Sequence, residues 1–307
     1  MLRNALSRLL QSILVLLGVA LLIFLMLRII PGNPIAVLMG EHVDIAVIER
    51  MTKELGLDQP VLIQFGRYIL GALKGDFGTS YSLGKSVSSL IAAAFPNTLV
   101  LALLAAVFAW VLGIVCGIIA AVKKNSIPDR IFMAGSLLGV SMPVFMTAML
   151  LQYFLAYKLK LFPISGTAGW TAFILPAIAL GWNSAGSVAR LVRSTLLEVL
   201  EEDYIDTARA KGRGQMGVLM VHALRNAMLP VITMMAIQLS GLLSGAVITE
   251  TVFSINGIGR LAVQAISARD IPLLQGTVLF SSAIVIIGNF LADSLYNVLD
   301  PRIRREA

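Results

Sequence analysis

The chain has few charged side chains, few histidines and a single cysteine, and each shortage excludes a class of protein. Only 13% of its 307 residues are charged, whereas soluble domains contain about a quarter. The lone Cys116 excludes a disulfide within the chain. The two histidines, His42 and His222, are far apart, and there is no metalloprotease or serine-hydrolase motif. We therefore expect no catalytic residues, no metal ligands and no bound cofactor.

A phosphate-binding loop is missing as well. Its nearest counterpart is Gly78-Thr79-Ser80-Tyr81-Ser82-Leu83-Gly84-Lys85-Ser86. This segment has one residue too many between its glycines and precedes no soluble helix. The chain is therefore not expected to hydrolyse ATP by itself.

Long apolar runs are abundant, since 58% of the residues are hydrophobic. A helix needs about 20 apolar residues to cross the hydrocarbon core of a bilayer. The first run has no small-x-small cleavage site after it and is followed directly by Arg28, so we expect a retained span rather than a cleaved signal peptide. The sequence predicts an all-α integral membrane protein with six spans, near residues 9–29, 98–122, 131–157, 170–189, 227–249 and 273–293.

Basic residues are concentrated on one side of these spans. That side carries Arg3, Arg8, Lys123, Lys124, Arg130, Arg190, Arg193, Arg209, Lys211, Arg213, Arg225, Arg302, Arg304 and Arg305, and the short loops opposite carry Lys158, Lys160, Arg260 and Arg269. Cytoplasmic loops are enriched in lysine and arginine. We therefore expect both termini to be cytoplasmic.

The segment between the first two spans carries its own helix signals. Asp44 is suited to cap a helix with Ile45, Ile48, Met51 and Leu55 on one face and its end at Gly56. A second helix is expected from Pro60 to Gly75, with Leu62, Phe65, Ile69 and Leu73 on one face. The predicted divisions are residues 1–95 (the first span and a small extracytoplasmic helical subdomain), 96–293 (five spans) and 294–307 (a cytoplasmic tail). The subdomain either covers the span ends or forms a surface for an external partner.

Residues 203–212 predict a short charged helix between two apolar segments. Asp203 is suited to cap its first turn, and Asp206 adds negative charge at the same end. Arg209 and Lys211 complement the dipole at the other end, and Gly212 provides a left-handed terminator. A self-contained helix of this kind, presented at the membrane surface, is suited to dock into a partner protein.

The predicted spans hold few polar side chains, and Asp293 is the only acidic candidate within them. Pro143 lies in mid-span and should kink it. Candidates to line a pathway are Ser141, Pro143, Gln152, Asn183, Gln238 and Ser244. Such residues join helices more often than they bind substrate.

Ion carriers and channels usually mark their pathways with intramembrane charge. The neutral interior instead favours a conduit that binds its cargo weakly and takes energy and selectivity from other proteins. A self-powered carrier or channel, a membrane-embedded enzyme and a structural anchor are the alternatives.

Several motifs, in order along almost the whole chain, resemble one family of membrane proteins. Asp206-Thr207-Ala208 followed by Gly212, together with His222-Ala223-Leu224-Arg225-Asn226-Ala227-Met228-Leu229-Pro230, resembles the "EAA" loop of permease subunits of ATP-binding-cassette (ABC) importers. Segments 55–60, 75–78, 139–143, 256–261, 269–272 and 300–305 resemble the peptide/nickel branch. Asp206 and Thr207 replace the usual Glu and Ala, and Asn256 replaces a usual Pro.

The resemblance implies a type I importer permease fold and a bacterial or archaeal plasma membrane. It implies that Asp206, Thr207, Ala208 and Gly212 belong to a coupling helix that enters a groove on a cytoplasmic ATPase, and Asp203, Arg209 and Lys211 of the same helix are further candidates for ATPase coupling. It also implies a second, homologous permease, two ATPase subunits that hold ATP and magnesium, and an extracytoplasmic binding protein, with no role for nucleic acid. A di- or oligopeptide is the first substrate expectation, and nickel or a nickel chelate and glutathione are alternatives.

Overall fold

Helices make up nearly all of the structure. The computed structural model describes residues 2–29, 50, 52–53, 56 and 58–299. Its helices are α1 (Leu2–Ile29), α2 (Val61–Leu73), α3 (Val87–Val122), α4 (Ile127–Ser141), α5 (Val144–Leu151), α6 (Ile174–Leu200), α7 (Asp203–Ala210), α8 (Leu224–Leu243), α9 (Val247–Val252), α10 (Ile258–Ser267) and α11 (Ile271–Leu299). A π-helix, Gln152–Lys158, continues α5, the 3-10 turn Trp170–Phe173 precedes α6, and the segment 215–223, π-helical over Val218–Ala223, leads into α8.

Among the described residues, five helices are long and apolar enough to cross a membrane, and the α4–α5 pair supplies a sixth span if it counts as one. The six-span prediction is therefore confirmed, although the third span is not a single helix. It breaks at Met142–Pro143, where α4 and the helix that follows meet at 108°. Because proline has no N–H and clashes with the preceding turn, the expected kink becomes a complete break.

Other predicted bounds were wrong at their ends. α6 continues to Leu200, well beyond residue 189, and α8 stops at Leu243 instead of residue 249. Gly245 adopts φ +114° there, in the turn before the short helix α9, which begins at Val247. The predicted boundary at 95/96 falls inside α3, which passes through Pro96 without ending.

Close packing between α3 and α6 forms the centre of the molecule. A Cβ built at Gly113 would lie 2.7 Å from the Cβ of Val188, and one at Gly117 would lie 2.7 Å from the Cβ of Val192. Small residues at such positions let two helix backbones approach closely, which compensates for the weak hydrophobic driving force inside a bilayer. The pair α3–α6 is therefore the frame on which the other helices are placed.

The segment between the first two spans is described only in part. The helix predicted from Asp44 lies outside the described residues, although Gly56, its predicted terminator, has φ +65°. α2 confirms the second helix, and Gly75 follows it at φ +77°. Its contact face was predicted wrongly in part, because Leu62 and Leu73 are largely exposed.

The contacts of α2 are made by aromatic residues. Phe65 and Tyr68 pack on Phe24 of α1, and the Tyr68 hydroxyl donates to the carbonyl oxygen of Gln275 at 3.1 Å. α2 is therefore held between the ends of α1 and α11, as expected for a segment beside the span ends.

Candidate functional site

The charged helix predicted at residues 203–212 is present as α7, but its start differs from the prediction. α7 begins at Asp203, the residue before it is Glu202, and neither makes a side-chain capping hydrogen bond. Asp203 is therefore not the N-cap. Asp206 instead accepts a hydrogen bond from Arg209 Nη1 at 2.8 Å, across one turn of the exposed surface. Both acids still lie in the first turn, where the helix dipole favours them.

The end of α7 agrees with the prediction. Gly212 has φ +79°. Its N–H donates to the carbonyl of Arg209 at 2.9 Å, and the N–H of Arg213 donates to that of Ala208 at 3.4 Å. This pair of bonds is a Schellman motif, which requires a left-handed residue at the position of Gly212. Lys211 is the C-cap residue.

One face of α7 is anchored in the protein, so the helix is not self-contained. Ile205 is fully buried and Ala208 nearly so. They join an apolar cluster with Ala121 at the end of α3, Leu196 of α6, and Val218, Ala223 and Ala227 in and before α8. The Asn226 side chain also donates to the Tyr204 hydroxyl at 2.8 Å. α7 therefore shares one apolar cluster with residues of α3, α6 and α8.

The opposite face of α7 is open. Asp203, Asp206, Thr207, Arg209 and Lys211 are exposed, together with Tyr204 and Met216 beside them. The Thr207 hydroxyl donates back to the Asp203 carbonyl, so it adds no contact outside α7. α7 is thus a firmly seated helix whose polar face is free for another molecule.

The candidate pathway residues are distributed around the broken span. Ser141 ends α4, and Pro143 precedes α5 across the break, with both side chains exposed. Nδ2 of Asn183, on α6, donates to the carbonyl oxygen of Val140 at 3.2 Å. The break leaves backbone carbonyls without a helical partner, and this amide satisfies one of them.

The other polar candidates also contact backbone. Nε2 of Gln152 donates to the Ile164 carbonyl at 2.7 Å, and Ser244 donates to Gly241 in its own helix. Nε2 of Gln238 lies 3.5 Å from the Ser184 carbonyl, while its Oε1 is buried with no partner. Gln152 and Gln238 join segments apart in the chain, whereas Ser244 bonds locally, and Gln238 alone of the three has an unpaired buried atom.

A buried acid at the other end of α3 was missed by the sequence reasoning. Glu250 of α9 is fully buried. It accepts from the Thr98 hydroxyl of α3 at 2.8 Å and from the backbone N–H of Arg260 at 2.9 Å. The Thr98 oxygen accepts in turn from the N–H of Ile258. The predicted span ended one residue before Glu250, so it was not considered as an intramembrane acid.

A second buried acid holds the segment dismissed as a phosphate loop. Asp270 accepts from the Ser80 and Ser82 hydroxyls at 2.6 and 2.7 Å and from the Ser82 N–H at 2.8 Å. It also accepts from the Leu273 N–H at the start of α11. Burial acts to raise the pKa of Asp270, but these hydrogen bonds outweigh it and hold the pKa below its usual range. The segment is therefore an anchored loop.

A buried ion pair, also missed, links α4 to α6. Arg193 Nε and Nη2 donate to Asp129 Oδ1 and Oδ2 at 2.7 and 2.8 Å. The N–H of Asn125, in the α3–α4 turn, donates to the same carboxylate at 2.9 Å. In the sequence, Arg193 was counted only among the basic residues on one side of the spans, and Asp129 was not considered.

Two family models together match nearly the whole chain. Residues 113–305 match the family described as "Binding-protein-dependent transport system inner membrane component". Residues 1–102 match the N-terminal region of such a membrane component. The chain belongs to this family.

Curated relatives of this permease match it over their full length. It is 43% identical to the glutathione transport system permease protein GsiC of Salmonella paratyphi A, over 99% of each chain. It is 41% identical to GsiC of Escherichia coli K12 over the same shares. These similarities confirm the peptide/nickel-type branch.

Solved structures share the fold. The permease matches a solved structure of the MetNI methionine ABC transporter in inward-facing conformations, with TM-score 0.59 and 18% identity. The match covers 69% of the permease and 96% of that chain. An amino acid ABC transporter with histidines covers 70% and 94%, with TM-score 0.51 and 18% identity. The permease has the type I importer fold and is the membrane component of a bacterial ABC importer.

Proposed function

We propose that this permease forms part of the import pathway for a small peptide of the glutathione type. The support is the identity of up to 43% over 99% of both chains with glutathione permeases. It would pair with a second, homologous permease and receive substrate from an extracytoplasmic binding protein. ATP and magnesium would be held by two cytoplasmic ATPase subunits, with the termini of this chain on the same side. Di- and oligopeptides and nickel chelates are the competing cargoes.

The anchoring of α7 carries the mechanism. Its buried face, through Ile205 and Ala208, contacts α3, α6 and the segment leading into α8, while its polar face is exposed. An ATPase that holds the polar face would move these helices together when it binds and hydrolyses ATP. The spans would then change between outward and inward openings.

The interior of the permease is expected to bind cargo only weakly. Gln152 and Asn183 donate to backbone carbonyls, and the buried acids Glu250 and Asp270 already accept several hydrogen bonds each. Micromolar affinity needs about 8 kcal/mol, and a single neutral hydrogen bond contributes about 1 kcal/mol net. Selectivity is therefore assigned to the binding protein, and Gln238 is the candidate in the permease for a transient contact.

A matched pair of glycine substitutions tests α7. Gly212 is left-handed, and a Cβ there would meet no atom within 4 Å, so Gly212→Ala introduces backbone strain without a clash. We expect a local cost of about 1 kcal/mol and reduced ATPase binding and uptake by the assembled complex. Gly214 is equally open but has φ −63°, so Gly214→Ala is the control and should behave as wild type.

Uptake by the complex in proteoliposomes is the measurement, with ATPase retention on the purified permease pair beside it. Equal activity of the two glycine variants would remove α7 from the coupling role. Radiolabelled glutathione is the substrate, with a dipeptide and a nickel chelate as competitors. Preferential inhibition by either competitor would reassign the cargo, and uptake without ATP would favour a self-powered carrier.

A further inference from the structure

The Asp129–Arg193 pair lies where α7 meets α6. Arg193 and Leu196 are three residues apart on α6, and side chains at that spacing are neighbours on a helix surface. Leu196 is fully buried in the cluster that seats Ile205 of α7. The same turn of α6 therefore contributes Leu196 to the cluster that contains Ile205 of α7, and Arg193 to the ion pair with α4.

Contacts between α4 and α6 continue from this pair up to the break. A Cβ at Gly186 would lie 2.5 Å from the Ser136 carbonyl oxygen, so the two helices touch there. Closer to the break, a Cβ at Gly139 would lie 2.6 Å from the Trp182 ring, and the Asn183 side chain donates to the Val140 carbonyl. α4 is thus attached to α6 from its first turn to the point at which the third span bends.

The chemistry of the pair suits it to transmit a displacement. The guanidinium and carboxylate form two parallel hydrogen bonds, which fix direction as well as distance. The Asp129 side chain is 5% exposed and that of Arg193 26%, so solvent screens the pair weakly. The third donor, the Asn125 N–H, includes the α3–α4 turn in the same unit.

We propose that Asp129 and Arg193 are positioning residues that make α4 follow α6 when the coupling helix moves, so that ATP-driven motion reaches the break at Met142–Pro143. This inference rests on the proposed docking role of α7. Without the pair, α6 would still move with the ATPase, but the first turn of α4 would no longer be pulled with it. ATP hydrolysis would then continue while the pathway opened poorly.

The same two segments supply a matched control. Lys124, in the α3–α4 turn, pairs with Glu201 just after α6 at 3.1 Å, but the two side chains are 50% and 72% exposed. Exposed pairs contribute little. Lys124→Gln therefore removes an ion pair between the α3–α4 turn and the residue after α6, close to the same two helices, and should leave transport unchanged.

The experiment compares Asp129→Asn, Arg193→Lys and Lys124→Gln in the full complex with its binding protein, in proteoliposomes, with glutathione as probe. Couplings between sites typically correspond to factors of about 5 to 150. We expect Asp129→Asn to keep ATP turnover but to move at least about fivefold less glutathione per ATP hydrolysed. Arg193→Lys keeps the positive charge but loses the two parallel hydrogen bonds of the guanidinium, so the amount of glutathione moved per ATP should be intermediate.

A distance measurement separates transmission from folding. Spin labels at Ile131 of α4 and Arg190 of α6, both exposed, are placed in a Cys116→Ser background. The wild-type distance should stay narrow with and without ATP, and Asp129→Asn should broaden it. If ATP turnover and uptake fall in proportion and the distance stays narrow, the pair has a structural role only and the proposal is overturned. An unchanged ratio of glutathione moved to ATP hydrolysed would also overturn it.

The remaining outcomes are also decisive. If Asp129→Asn fails to assemble, Arg193→Lys is judged by the same ratio and distance. If Gly212→Ala retains normal ATPase binding and uptake, the docking role of α7 fails. The distance between residues 131 and 190 then still shows whether the pair holds α4 to α6.

Discussion

The two ends of α3 compensate buried carboxylates in different ways. At the end next to the coupling helix, Asp129 faces the guanidinium of Arg193, on another long helix. At the opposite end, Glu250 and Asp270 accept from hydroxyl and backbone N–H groups. One end therefore uses a charge pair between helices, and the other uses neutral hydroxyl and backbone N–H donors.

The difference follows from what each end has to hold. Backbone N–H groups near a helix start are unsatisfied, so a buried acid can fix the start of α10 or α11 by accepting from them. Two continuous helices have no free N–H along their sides, so α4 and α6 need side chains on both partners. Loops at the Glu250 and Asp270 end are thus fixed by carboxylates, whereas the long helices next to α7 are joined by an ion pair.

The largest expected effect on stability comes from removing the acid of α9. Glu250→Ala leaves the Thr98 hydroxyl and the Arg260 N–H without their acceptor. At about 1 to 3 kcal/mol for each unsatisfied buried group, we expect a loss of about 3 kcal/mol in the free energy of unfolding. Denaturation of the purified permease in mild detergent measures it. Thr251→Ala, which removes an exposed hydroxyl from the same helix, is the control, and an equal loss in both would contradict the role of Glu250.

A smaller, pH-dependent effect is expected at Asp270. The free carboxyl has a pKa near 3.9, and hydrogen bonds hold the pKa of Asp270 lower in the fold despite burial. The ionised form therefore stabilises the fold above about pH 4, and this contribution is lost as the pH falls through the folded pKa. Asp270→Asn should lower the free energy of unfolding by about 1 to 2 kcal/mol between pH 5 and 7. The difference between the variant and the wild type should disappear as the pH falls below about 4. A gap that widens on acidification would refute this account.

The smallest effect is expected on the exposed face of α7. Arg209 and Asp206 are 52% and 73% exposed, and pairs at this spacing contribute about 0.2 to 0.5 kcal/mol. Arg209→Gln should therefore change the free energy of unfolding by less than about 0.5 kcal/mol. If Arg209→Gln lowered the free energy of unfolding as much as Glu250→Ala, the exposure of a charged group would not predict its contribution to stability at either end of the molecule.

Local signals in the sequence were sufficient for the elements whose cause is local. Gly212 and Gly75 terminate helices as predicted, because only a residue without Cβ adopts φ near +80° at low cost. Pro143 interrupts its span as expected. The predicted cap at Asp203 was wrong because α7 starts one residue earlier than a cap at that position requires.

The candidate site was predictable in part for the same reason. The sequence located the charged helix α7, but it treated this helix as free-standing because the partners of Ile205 lie on other helices. Asp270 and Ser80 were each noticed in separate motifs, yet they are 190 residues apart and meet only in the fold. Arg193 was counted only as a basic residue for orientation and Asp129 was not considered, since nothing local marks them as a pair.

By itself the sequence determined that this permease spans the membrane, and it located the helix break at Pro143, the terminators Gly75 and Gly212 and the short charged helix α7, because apolar length, proline, glycine and charge act within a few residues. The tertiary structure alone decided which acids are buried, what compensates each of them and how α7 is attached to α3, α6 and α8. Those properties depend on contacts between residues far apart in the chain, where small side chains allow helices to approach and a buried charge is stable only beside a suitable donor.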